Sequence, residues 1–291
     1  MLRSLIQASF SIIVVVLLSW NVTGLAAQFS LLQASTSFLQ TTSWDVQGGA
    51  YQPGSDKVLF REYRQTIELS DGHKALVVLY VDSQDQLISV KRVEFANRPQ
   101  WQPNVYYHHV ASGLTAFSVL DDGVIKLTQW RKHHSQSFKS LMTKIFDTRS
   151  NWIISEQQFT QSSLGQGFDR QYSDLRLDSQ SVIDAGFDLW VTNQWQRLIS
   201  DDAMEIRAVA VDAQQDVPFT IAAYENSEGQ DHHSVCRFTM QLAWWSLSWI
   251  LSPVLLDYDC ASKRLLRYQG VTNLKDHNNK RITADIHYEY R

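Results

Sequence analysis

The chain has 291 residues, 44% hydrophobic, 12% aromatic and 19% charged, with a net charge of −4. That balance excludes a disordered or low-complexity chain, and 12 Gly and 5 Pro spread thinly exclude a collagen-like repeat. The slight acidity and the lack of a sustained Lys/Arg stripe argue against a phosphate-backbone binder, so no nucleic-acid partner is expected.

The N-terminus reads as an export signal over residues 1–27. Arg3 supplies the positive start, Ile12 to Leu18 the apolar heart, and Gly24-Leu25-Ala26-Ala27 a small-residue cleavage site. The apolar run falls short of the roughly 20 residues of a membrane-spanning helix. The expectation is a single β-rich domain over residues 28–291, in the periplasm or secreted, with an uncleaved inner-membrane anchor as the alternative. Without Arg3, 25 basic residues face 30 acidic ones, a net charge of −5. Export would place Cys236 and Cys260 in an oxidising compartment. With no C-x-x-C and only half a zinc site, a structural disulfide is the reading, and a buried free pair the alternative.

From residue 58 the chain reads as strands separated by turn residues. Val58–Leu69, Ala75–Val81, Leu87–Phe95, Asn104–Val110, Leu114–Leu120 and Val124–Trp130 are split by turns such as Asp71-Gly72 and Asp122-Gly123. Asp-Gly pairs tolerate the positive φ of tight hairpins, so an antiparallel meander is predicted. Phe138, Leu141, Met142 and Ile145 are helically spaced within an ambiguous segment, 136–149. Ser181–Ser200 carries Phe187, Trp190, Val191, Trp195 and Leu198 on one helical face, and Ser181 with Asp184 resembles a capping box. A weaker helix is predicted over Leu242–Leu251, ending before Pro253. Ile282, Ala284, Ile286, Tyr288 and Tyr290 alternate with polar residues, the pattern of a half-buried strand.

The predicted fold class is mainly β (α+β). It is a large curled antiparallel sheet of about ten strands, half-barrel-like, with one or two amphipathic helices on its concave side.

Two stretches carry a resemblance: Val182-Ile-Asp-Ala-Gly-Phe-Asp-Leu-Trp-Val191 with Trp195, and Leu256-Asp-Tyr-Asp259 followed by Arg264-Leu-Leu-Arg-Tyr-Gln-Gly270 and Thr272-Asn273. With Phe60-Arg61-Glu62-Tyr63, they resemble an uncharacterised family of exported proteins from Gram-negative bacteria, from about residue 57 to the end. At fold level the strand–helix–strand order is similar to the half-barrel of periplasmic lipoprotein carriers. That resemblance implies a role with hydrophobic ligands and supplies no catalytic residues.

No motif names a reaction. The doublets His108-His109, His133-His134 and His232-His233 lack metal-motif spacing, and H-E-x-x-H is absent, so no metal and no cofactor are expected. Asp184 and Asp188 stand four apart and read as helix-start carboxylates rather than an acid–base pair. Ser163-Leu-Gly-Gln-Gly is not a nucleophile elbow. The aromatic run Trp244, Trp245 and Trp249, with Leu247, Ile250 and Leu251, reads as core first, then ligand lining, then peripheral membrane contact. The leading expectation is a non-enzymatic protein binding a lipid or lipidated partner through Phe187, Trp190, Val191, Trp195, Trp245 and Trp249. An envelope scaffold or partner-binding module is the runner-up, and a hydrolase with dispersed residues the third reading.

Overall fold

Strands β8 (Arg170–Arg176) and β9 (Ser181–Ile183) form the two edges of one fifteen-stranded sheet, yet only residues 177–180 separate them in the chain. Laid flat, fifteen strands would span about 67 Å at the usual interstrand spacing. The short connection reaches about 18 Å at most, so the sheet must curl until its edges approach. They remain unpaired, and the sheet is open. A computed structural model describes residues 36–95, 99–110, 112–131, 138–163, 170–200, 203–224, 235–243, 252–276 and 280–291.

Two meanders build the sheet. The first runs β2 (Val58–Glu68), β3 (Lys74–Asp82), β4 (Leu87–Glu94), β5 (Asn104–His109), β6 (Leu114–Asp121), β7 (Val124–Arg131) and β8 (Arg170–Arg176). The second runs β10 (Met204–Ala210), β11 (Gln215–Ala223), β12 (Val235–Leu242), β13 (Val254–Asp259), β14 (Leu265–Lys275) and β15 (Arg281–Tyr290). Strand β1 (Val46–Tyr51) lies between β15 and β2 and joins the two. All neighbours are antiparallel except the three-residue β9 (Ser181–Ile183), which pairs parallel with β10. Positive φ at Asp122 (47°) and Gly123 (74°), and at Gly72 (80°), supports the predicted turns.

The predicted boundaries of β2 to β7 hold to within about one residue, and the alternating C-terminal segment is β15. Four expectations are corrected. The strand count is fifteen among the described residues rather than about ten. Ser181–Ser200 is not one helix: Ser181–Ile183 joins the sheet, and Asp184 turns the chain at φ 48°. Helices α4 (Gly186–Asn193) and α5 (Trp195–Ile199) follow, broken at Gln194. The Ser181 and Asp184 capping box is absent, since the α4 N-cap is Ala185 and Ser181 Oγ donates to Asp178. Leu242 ends β12 rather than starting a helix, and residues 244–251, with Trp244, Trp245 and Trp249, lie outside the described residues. So do the export segment, His133-His134 and His232-His233.

The two sheet faces are covered differently. Odd-numbered β3 residues Val77, Leu79 and Val81 pack on the outer face against α1 (36–41), α2 (Phe138–Ile145) and α3 (Trp152–Ser163). Even-numbered Val78 and Tyr80 face inward, together with Phe60, Ile286 and residues of α4 and α5. Further along, Val93, Val105 and Leu127 of the first meander meet Ile183 of β9 and Val209 of β10, so the curled sheet packs against itself. On the second meander the outer face carries Arg237–Asp257 and Arg267–Asp285 ion pairs, a solvent-facing pattern. Among the described residues no helix is long and apolar enough to cross a membrane.

Candidate ligand-binding cavity

Curling leaves a cavity of about 600 Å³ on the inner face, within the range of small-molecule sites. Its walls are chiefly apolar: Phe60, Leu76 and Val78 come from the first meander, and Val217, Phe219, Val254, Leu265 and Ile286 from the second. Along β15 it extends from Arg281 to Tyr288, about 24 Å at the antiparallel rise. Gln215, Gln241, Ser252 and Arg281 line one end and are exposed, which places an opening at the strand ends. Helix α4 supplies Phe187 and Asp188 toward the other end.

That helix end is polar. Phe60 faces the core, and strand periodicity puts Glu62 and Arg64 on the same face of β2. Arg64 donates to Glu62 through Nε and to Tyr288 Oη at 3.0 Å, and its Nη1 lies 3.5 Å from Asp188 Oδ2. Tyr258 Oη donates to Asp188 Oδ1 at 3.0 Å. Gly48 lies between Tyr288 and Glu62 in the strand register, and a Cβ there would sit 3.0 Å from the Tyr288 ring. Its bare backbone lets that ring lean across β1 to reach Arg64 and Glu62. To one side Lys91 Nζ donates to Asp184 Oδ1 at 2.8 Å and to Tyr80 Oη at 3.4 Å.

Protonation follows from enclosure. Burial pushes the Asp188 carboxyl above its ordinary range, against the pull of Arg64 and the Tyr258 hydrogen bond. Burial, reinforced by Glu62 or Asp188, pushes Tyr80, Tyr258 and Tyr288 well above the usual phenol range, so all three remain donors. Burial works against the Arg64 charge, and Glu62, Tyr288 and Asp188 together hold its pKa well above the ordinary value. Asp188 is deeply enclosed, yet 38% of its side chain is accessible. It also lines the cavity.

The aromatic residues singled out in the sequence take different places. Phe187 lines the cavity and stacks on Trp190 with centroids 6.4 Å apart. Trp190, Val191 and Trp195 belong to the buried inner core, with Trp195 edge-on to Phe238 and Tyr258. Trp245 and Trp249 fall outside the described residues, whose flanking neighbours Leu242 and Ser252 line the cavity. Asp184 and Asp188 are each paired with a different cation, Lys91 and Arg64 respectively. Glu62, Arg64 and Tyr288 were not read as site residues, although a charged pair on the Phe60 face of a strand was a legible signal.

Cys236 of β12 and Cys260, the residue after β13, are disulfide-bonded, with Cα atoms 5.2 Å apart. Among the described residues no group of three His, Cys, Asp or Glu is placed to hold a metal, and neither His nor Cys lines the cavity. No known protein family, curated protein or solved structure matches this chain.

Proposed function

We propose that this protein is a non-catalytic binding protein for an apolar molecule, a lipid or a lipidated partner, acting in the cell envelope after export. One observation carries the reading: an elongated cavity of about 600 Å³, apolar along its walls and open at the strand ends, on the concave face of the sheet. Apolar surface buried in such a cavity contributes about 25 cal/mol per Å², enough for micromolar affinity without a charged contact. The N-terminal signal pattern and the resemblance to half-barrel lipoprotein carriers are consistent with it.

The test is displacement of an environment-sensitive apolar dye from the purified domain by a long-chain alcohol. Dye binding with one-to-one stoichiometry is expected, and Ala208→Phe, which places a ring at the cavity wall, is expected to weaken it about ten-fold or more. Dye binding that ignores Ala208→Phe in a folded variant, or no binding at all, contradicts the reading. In the second case the envelope-scaffold reading takes its place.

A further inference from the structure

We infer that the helix end of the cavity recognises the ammonium group of an amine-headed amphiphile, with the Asp188 carboxylate as its counter-ion. The inference rests on the apolar-ligand reading above and adds the class of head group.

The charges lining the cavity do not balance. Among the described residues lining the cavity, Lys91 pairs with Asp184 at 2.8 Å and Arg281 with Asp212 at 3.4 Å. Arg64 is engaged most closely by Glu62. Asp188 is the remaining acid, and its nearest cation is the same Arg64, at 3.5 Å. Four acids against three bases leave one negative charge, and the geometry puts it on Asp188. A carboxylate has about four acceptor positions. Tyr258 and Arg64 occupy two, and the side chain, which lines the cavity, keeps 38% of its surface accessible.

An incoming head group therefore meets a carboxylate with spare acceptor capacity. An ammonium brings three donors and the missing positive charge. The rings of Phe187 and Tyr288 also line this end, and aromatic faces attract cations. A ligand carboxylate or phosphate would instead meet Glu62 and Asp188, with only an Arg64 that both already share. A neutral head leaves the surplus charge unanswered.

The experiment compares dodecylammonium, dodecanol and dodecanoate as competitors for the bound dye at pH 7, each below its aggregation concentration. Dodecylammonium is expected to compete at a concentration about ten-fold or more below the other two. Asp188→Asn is expected to bring dodecylammonium to within about three-fold of dodecanol. Dodecanoate competing as well as the amine, or a preference that survives Asp188→Asn, overturns the head-group assignment and leaves the apolar cavity standing. Failure of all three to compete overturns the apolar-ligand reading, and this inference with it. If Asp188→Asn does not fold, the three-ligand comparison on the native protein decides alone.

Discussion

The guanidinium of Arg92 and the carboxylate of Glu94 form an ion pair at 2.8 Å on β4 that is closed to water, both side chains being no more than 1% exposed. Arg92 also donates to the carbonyls of Ile145 at 3.1 Å, Asp147 and Arg149, and lies over the Trp152 ring. Glu94 accepts backbone N–H groups of Ile153 and Trp152. The pair thus ties the end of α2 to the start of α3 and holds both against the outer face.

Breaking that pair on one side strands a buried charge. Arg92→Leu is expected to cost about 3–5 kcal/mol in urea unfolding. Adding Glu94→Leu should recover part of the loss, because the double variant leaves no unpaired charge. Losses that simply add would show that the pair is not coupled.

Gly186 opens α4 against the backbone of Trp101, where a Cβ would sit 2.6 Å from the carbonyl carbon. No side-chain rotation relieves that contact, since the atoms opposing it are main chain. Gly186→Ala is expected to lose about 1–3 kcal/mol and to displace Asp188, weakening ligand binding as well. Unfolding midpoints and dye titration check both. Native stability in the variant would contradict the close approach.

His108 is buried on the outer face, its Nδ1 2.9 Å from Thr115 Oγ1. Burial, with smaller contributions from His109 and Lys144, pushes its pKa down to about 4 from an ordinary 6.5. Between those values the unfolded chain binds the extra proton. Stability from this group is therefore complete above pH ~6.5 and is lost as the pH falls toward ~4, about 3 kcal/mol in all. Comparing unfolding free energies at pH 7 and pH 5 for native protein and His108→Gln should show a smaller acid loss in the variant. Equal losses would assign the acid sensitivity elsewhere.

The Cys236–Cys260 bond closes a loop of about 25 residues on the β12–β13 hairpin, with a sequence separation of 24. Loop entropy assigns it about 3.5 kcal/mol. Reduction, or the paired Cys236→Ser and Cys260→Ser variant, is expected to lower the urea midpoint by the equivalent of about 2–4 kcal/mol. An unchanged midpoint, with two free thiols counted, would contradict this.

The first meander was legible because its turns need special residues and its strands have plain periods. The run Ala75–Val81 is apolar on both parities because helices cover one face and the cavity side the other. The C-terminal alternation reports a strand with one face in water. Strand β8 was hidden because an edge strand is polar, and β9 because three residues show no period. The helical spacing over Ser181–Ser200 was correct only from Gly186, since Val182 and Ile183 serve the core from a strand. Helix α3 shows no clean apolar stripe, although Trp152 and Ile153 are buried. The Glu62, Arg64, Asp188, Tyr258 and Tyr288 cluster joins β2, α4, β13 and β15, and only sheet topology brings those residues together.

The most direct test of ligand binding is mass spectrometry of apolar material extracted from protein purified natively, without detergent, from the cells that make it. One amphiphile per chain is expected in the native protein, and a marked loss in Ala208→Phe. A folded native protein that carries nothing extractable, and takes up nothing when offered long-chain amphiphiles, would contradict it.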